Sequence, residues 1–503
     1  MVDDVSRRGV LLAGGAALSG GIAAKLGTRS VVARSGHEEG PALRWQRFVD
    51  NDDAMTRPTS VWARDDRVLV GGFSGDEYDD AAPWQFGIDA VRGTDHAGTT
   101  ASVEGRFLTQ TSVPAVDGGR LFLGRHTADP DADDAAASPT VVRTTDDGEI
   151  EWRRTYEPPF EMFGVRDLAP SAGGGAVFVG FSVDSDNPNT WLVAVDADGS
   201  LRWERRLDEY FATYAYGVQR VDDGGYLVYG GARRGSARDA SRQDGWVAKV
   251  GAGGDTQWSR LYRQRSAGEA SEYHYVEDAV ETAEGYLFGG FVSPATEDAA
   301  GRAWAFTTDT GGDRLYSALR RPGGDGAGEF RAVVSYDDHY VLVGNVLPTA
   351  DAEVEFAWLR GVDASLSTEW ELVDPLDQPS TLTDAAATTD GGFAIVGNHD
   401  TGDGWSTPLV AKLGGDAAEV PTPTSTPWPT LTPTPTPTAE PTGTPTPEST
   451  ATSVSTATAE SAPEARSTTT SADGPGFGLA GTLAALGGST LLARLRGGPR
   501  DEG

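Results

Sequence analysis

The chain has 503 residues, a formal charge of −34 and no cysteine. A field this negative excludes nucleic acid as a partner, because phosphate backbones are held through accumulated positive charge. The missing cysteines remove disulfide frameworks, thiolate nucleophiles, cysteine-bound metals and a lipid-bearing N-terminal cysteine.

In chain order, Ser6-Arg7-Arg8-Gly9-Val10-Leu11-Leu12 comes first, followed by an apolar Gly/Ala-rich stretch to about Ala24. A basic start followed by a short apolar run has the form of an export signal, placed at 1–27. Lysine is nearly absent: Lys25, Lys249 and Lys412 are the only three, while arginine is retained.

From 41 to 415 one pattern repeats seven times, the last copy unfinished. Its clearest copy reads Asp222-Asp223-Gly224-Gly225-Tyr226-Leu227-Val228-Tyr229-Gly230, a polar loop, Trp246-Val247-Ala248-Lys249-Val250, a Gly-rich turn, and Trp258-Ser259-Arg260-Leu261-Tyr262. The glycine ending the first apolar run recurs as Gly71, Gly124, Gly180, Gly230, Gly290, Gly344 and Gly397, at intervals between 50 and 60 residues. Those periods belong to propeller blades rather than helical solenoids. Four short strands are expected per repeat, in the fourth at 216–221, 226–230, 246–250 and 257–262. The turns between them carry residues that tolerate positive φ.

Tryptophan recurs on the third strand as Trp84, Trp191, Trp246, Trp304 and Trp358, and on the fourth as Trp152, Trp203, Trp258 and Trp370. A stripe at one blade position is read as core. The seventh repeat lacks its fourth strand, and Leu43-Arg44-Trp45-Gln46-Arg47-Phe48 supplies that strand from the other end. The expected fold is therefore all-β, a seven-bladed β-propeller closed by an N-terminal strand in the last blade, with six or eight blades as alternatives.

Connections between second and third strands vary most in length, at 74–83, 127–139, 233–244, 292–302, 347–356 and 399–407. They share a face with the blade-to-blade connections, and varied loops on a rigid scaffold are where recognition usually lives. Several of those connections are aromatic. Phe160, Phe163, Tyr210, Tyr214, Tyr273 and Tyr275 are the candidate ligand face, suited to sugar stacking or cation contacts. Counting thirteen back from the repeat glycines reaches Asp167, Glu277 and Asp384, with Arg331 at the same offset. Given equal turn lengths, these four lie near the mouth of the central channel.

Asp129, Asp131 and Asp133 have the alternating spacing of a calcium loop, without its sharp-turn glycine or downstream glutamate. They are the weak metal candidates, and no other cofactor is expected. No H-E-x-x-H, no G-x-S-x-G and no histidine-rich cluster occurs, so catalytic residues are not assigned and an enzyme is not the first expectation.

Residues 419–473 are rich in Thr, Pro and Ser, as in Thr432-Pro433-Thr434-Pro435-Thr436-Pro437. Such a composition buries no core and favours polyproline II. At ~3.1 Å per residue it makes a disordered stalk on the order of 150 Å long. Pro475-Gly476-Phe477-Gly478 then opens a tail (475–503) with an apolar segment and the basic end Arg494, Arg496 and Arg500. The apolar segment is expected to be helical.

Three resemblances bear on these segments. Arg7 and Arg8 resemble a twin-arginine export signal, which implies passage of a folded protein through the twin-arginine translocase. The three-part tail is similar to the PGF-type C-terminal sorting signal of haloarchaeal surface proteins, which implies an archaeosortase, removal of the tail and lipid attachment near Pro475. A plain transmembrane anchor is the alternative. The acidic, lysine-poor composition resembles that of proteins from extreme halophiles, whose self-repulsion is screened in molar salt.

The repeat itself resembles propeller repeats of archaeal surface proteins and, more distantly, Kelch and pyrroloquinoline-quinone-type repeats. That likeness implies the fold and leaves the activity open. The expectation is an extracellular, membrane-anchored display protein that binds a protein or glycan. The alternatives are a glycan-acting hydrolase, a quinone-type oxidoreductase or a structural wall component.

Overall fold

The computed structural model describes residues 40–415 apart from 50–54, 76–80, 102, 117, 130–136, 160–162, 183–187, 236–241, 265–271, 295–300, 321–325, 350–351, 353 and 401–405. Arg7, Arg8, Asp131, Asp133, Phe160, the stalk and the tail with Pro475, Gly476 and Phe477 lie outside the described residues.

Twenty-eight strands form seven four-stranded antiparallel sheets. The innermost strands run Met55–Arg64, Arg106–Pro114, Phe163–Pro170, Ala212–Arg220, Glu272–Glu281, Gly328–Tyr336 and Ser380–Ala387, numbered here as blades 1 to 7. Each packs on the innermost strand of the next blade, and blade 7 returns to blade 1. Blade 7 takes its outermost strand from the N-terminal side: Leu43–Phe48 pairs antiparallel with Ser406–Gly414. The protein is a closed, seven-bladed β-propeller, as its repeat predicts.

The third-strand tryptophans fill the layers between blades; Trp84, Trp191, Trp246, Trp304 and Trp358 are all at most 2% exposed. Four of these indoles also stay hydrogen-bonded. Trp246 and Trp304 donate to Ser259 and Ser317, and Trp191 and Trp358 to Glu204 and Glu371, each on the adjoining outer strand. The outermost tryptophans do a different job. Trp152, Trp203 and Trp258 are half-buried and donate to the carbonyls of Ala197, Ala252 and Thr310 at 3.0–3.2 Å, each in a turn of the next blade. Trp45 does the same across the closure, reaching Ala90 O at 2.9 Å. The repeat is thus bolted blade to blade along its rim.

Both described lysines are buried. Lys249 pairs with Asp223 at 2.8 Å and Lys412 with Asp390, each joining a third strand to the turn between first and second strands. The glycine in that turn is required: Gly224 sits at φ +82°, open to glycine and strained for other residues.

Candidate functional site

The inner strand of each blade is a sheet edge, so half of its backbone N–H groups have no partner within its own sheet. Every inner strand also carries one bulge, and the bulged residues are Thr59, Gln110, Arg166, Tyr216, Glu277, Arg331 and Thr383. A bulge adds a residue without adding a partner and re-aims the side chains around it. Here it creates two layers around the channel.

The residues just after the bulges are Ser60, Thr111, Asp167, Gly217, Asp278, Ala332 and Asp384. They stitch the blades together. Asp167 accepts the Val218 N–H at 2.9 Å, Asp278 that of Val333 at 2.7 Å, and Asp384 that of Val61 at 2.8 Å. Ser60 Oγ serves blade 2 in the same way, accepting the Ser112 N–H at 3.0 Å. Gly217 has no side chain because the Tyr229 ring occupies its place; a Cβ there would lie 2.1 Å from that ring. The Tyr229 hydroxyl donates to Asp278 instead, at 3.0 Å. Past Ala332, Asn345 makes the link with two bonds to the Leu382 backbone.

Below this belt the channel opens into a cavity of about 530 Å³, lined among others by Trp62, Asp167, Arg220, Tyr229, Asp278 and Asp384. Burial raises Asp167 to about 6 and Asp278 to about 7 against the pull of their backbone hydrogen bonds. Asp384 is pushed well above the usual carboxylate range by burial and by repulsion from Asp278 and Asp167. Among the described residues no group of three or more His, Asp or Glu side chains is arranged to hold a metal ion.

The second layer, made of the bulged residues, faces the end of the channel where the blade-to-blade connections enter. Four adjacent blades contribute Arg166, Tyr216, Glu277 and Arg331. The Arg166 guanidinium lies 5.5 Å from the Phe181 ring centre and 5.6 Å from that of Tyr216. Tyr216 meets Tyr275 at 5.8 Å, and Tyr275 stacks on Phe291 at 4.4 Å and 13°. Arg331 closes this arc over Phe291 at 5.8 Å. Its charge is matched: it grips Glu329 with two bonds of 2.7 and 2.9 Å and reaches Glu277 at 3.2 Å. Burial opposes the Arg331 charge, and the carboxylates of Glu329 and Glu277 more than restore it. Burial also raises Tyr216, Tyr275 and Glu277 above their ordinary values. Burial and repulsion from Glu329 raise the half-buried Glu355 to about 7.

The structure re-sorts the residues singled out from sequence. Tyr214, Tyr273 and Tyr275 sit in the inner strands of blades 4 and 5 rather than in connections, because those strands begin earlier than the repeat suggests. Tyr275 joins the arc, and Tyr214 receives a hydrogen bond from Arg233 at its edge. Tyr210 and Phe163 pack instead against the cores between blades, and Asp129 is exposed beyond the strand Arg120–Thr127.

Asp167 and Asp384 do occupy one ring. The third member is Asp278, with Glu277 one place earlier on the bulge beside Arg331 at its own bulge. Blades 3 and 7 connect their first two strands through five residues, blade 5 through four and blade 6 through two, which shifts the offset. Arg166 went unmarked by that count because the bulge places it one residue before the aspartate.

The strand order and closure define the class, a seven-bladed propeller with a charged aromatic channel mouth. No protein-family model matches the chain, and no curated protein matches it. Among solved structures the chain is similar to a protein of unknown function from Dyadobacter fermentans, at 12% identity over 75% of this chain and 100% of the other, with a TM-score of 0.45. It is also similar to the polysaccharide lyase Uly1, at 10% identity over 73% and 92% with a TM-score of 0.48. A neuraminidase-like protein of the A/flat-faced bat/Peru isolate follows at 9% identity over 76% and 98%, with a TM-score of 0.38. At such identities nothing about activity transfers to this chain.

Proposed function

We propose that this protein is an exported surface protein whose propeller binds a protein or glycan through the loop-bearing mouth of its channel. One observation carries the reading: the arc from Arg166 through Tyr216, Tyr275 and Phe291 to Arg331 gathers half-buried rings and charges at one end of the channel. Rings with an apolar face and a polar edge suit recognition of sugars and of peptide side chains. In this proposal Arg7 and Arg8 direct export through a twin-arginine route, and the tail from Pro475 is processed to a lipid anchor beyond the stalk. Adaptation to molar salt is part of the same proposal. It is supported by the placement of Lys249 and Lys412, both at most 2% exposed, which leaves arginine as the basic side chain of the described surface.

The test is capture from a halophile surface extract in molar salt, with the full chain immobilised. A specific protein or glycan, released when Tyr275 is changed to alanine, supports the reading. Capture that is indifferent to the mouth contradicts it.

A second reading is an enzyme acting on glycans. Glu355, a carboxyl that burial raises to about 7, lies beside the Arg331-gripped Glu329, which brings two carboxyl groups together as glycan hydrolysis requires. Release of new reducing ends from surface polysaccharide, abolished in Glu355→Gln, would favour it.

A further inference from the structure

Granted the binding role proposed above, we propose that the mouth recognises the carboxylate of an acidic saccharide, with Arg166 as its donor and Tyr216 and Tyr275 as the rings beside the sugar.

Arg166 is set apart from the paired cations of the arc by what it lacks. Arg331 is held by Glu329 and Glu277, and Arg233 bonds the Tyr214 hydroxyl. Arg302, farther out, is paired with Glu272 at 2.6 Å. Arg166 makes no hydrogen bond and no ion pair with the described residues; its guanidinium lies over the faces of Phe181 and Tyr216. Yet it is half-buried on the bulge of an inner strand. A guanidinium cannot shed its charge within the physiological range, and it offers five N–H donors in a planar fork. Burying such a group without an anion is costly. Burial lowers its pKa, and Glu277, the carboxylate that acts on it, is already engaged by Arg331. The geometry is that of a preformed receptor for a planar, two-oxygen anion.

The rings select the class. Phe181 and Tyr216 flank the guanidinium, and Tyr216 continues into the Tyr275–Phe291 stack. A small inorganic anion would use the fork and leave those rings idle. A uronate-type sugar presents a carboxylate at one end and C–H faces beside it, and so uses both. The overall charge of −34 supplies no long-range attraction for an anion, so recognition has to come from this local group.

The experiment uses the full chain in molar salt, titrated with oligomers of galacturonate and glucuronate and with their methyl esters. The expected result is binding of the acids and at least tenfold weaker binding of the esters. Arg166→Gln should weaken the acids by about 10- to 100-fold, the range of a lost charged hydrogen bond, and leave the esters unchanged. Arg166→Lys keeps the charge without the fork and should fall between, which preserves the test if the glutamine variant does not fold. Equal binding of acid and ester, or acid binding unaltered by both variants, overturns the carboxylate assignment. Binding of neither, with a protein still captured from extract, also overturns it but leaves the broader binding role standing. Binding of neither and capture of nothing removes both.

Discussion

The Asp384 carboxylate accepts the Val61 backbone N–H at 2.8 Å, across 323 residues of sequence. That bond fastens blade 7 to blade 1 on the channel side, while Trp45 fastens the same seam at the rim through Ala90. The ring is therefore sealed twice, by a side chain from each end of the propeller sequence.

Removing the inner seal should be costly but local. Asp384→Ala leaves the Val61 N–H without its partner in a buried setting and should destabilise the fold by about 1–3 kcal/mol. Asp384→Asn keeps an acceptor and should lose less. Denaturant titration of the two variants against the natural chain checks the order.

The outer seal should matter more. Trp45 is 7% exposed inside a shared core, and truncating a buried tryptophan to alanine typically costs about 3–5 kcal/mol. Deleting Leu43–Phe48 should go further, uncovering the edge of Ser406–Gly414 and promoting association through it. Unfolding and sedimentation of both variants test this, and an oligomeric state unchanged by the deletion would contradict it.

The belt aspartates give a pH signature. Asp278 titrates at about 7 in the folded chain because burial outweighs its hydrogen bonds, whereas an unfolded aspartate titrates near 4. The folded state therefore holds the extra proton between those values. The stability linked to this group is complete below about pH 4 and is lost as pH rises through about 7. Asp278→Asn removes that loss. Its melting temperature relative to the natural chain should climb from pH 5 and level off above about pH 7, by the equivalent of a few kcal/mol.

The buried lysines predict an asymmetry between partners. Lys412 is 0% exposed and its Asp390 partner lies nearby in the turn. Desolvation works against the Asp390 charge, and hydrogen bonds from Lys412 and Thr388 overcome it, holding the carboxyl below its usual range. Asp390→Ala strands a buried cation and should cost about 3–5 kcal/mol, while Lys412→Met with Asp390→Ala together should cost far less. The contribution of Asp390 is present above the ordinary carboxylate pKa and lost as pH falls through its depressed value. A double-mutant cycle by thermal unfolding checks both statements.

The architecture was legible because it rests on period. Glycines every 50 to 60 residues, tryptophans at fixed blade positions and a missing last strand that matches Leu43–Phe48 all survive in one dimension. The site was legible only in part. Asp167 and Asp384 lie at one offset from their glycines, but Asp278 escapes that count because its turn is one residue shorter. The pairing of Tyr229 with the space above Gly217 joins two strands through a side chain, and no spacing rule reports it. Arg166 is a bulged residue, and a bulge is invisible to strict alternation until the register of both strands is known.

Ligands are proposed to enter at the loop-bearing mouth. The most direct measurement is hydrogen exchange of the full chain with and without its captured partner. Protection should concentrate in the first halves of Phe163–Pro170, Ala212–Arg220, Glu272–Glu281 and Gly328–Tyr336, around Arg166, Tyr216, Glu277 and Arg331. Protection centred instead on the tight turns at the opposite face, around Asp223 and Asp390, would contradict the account.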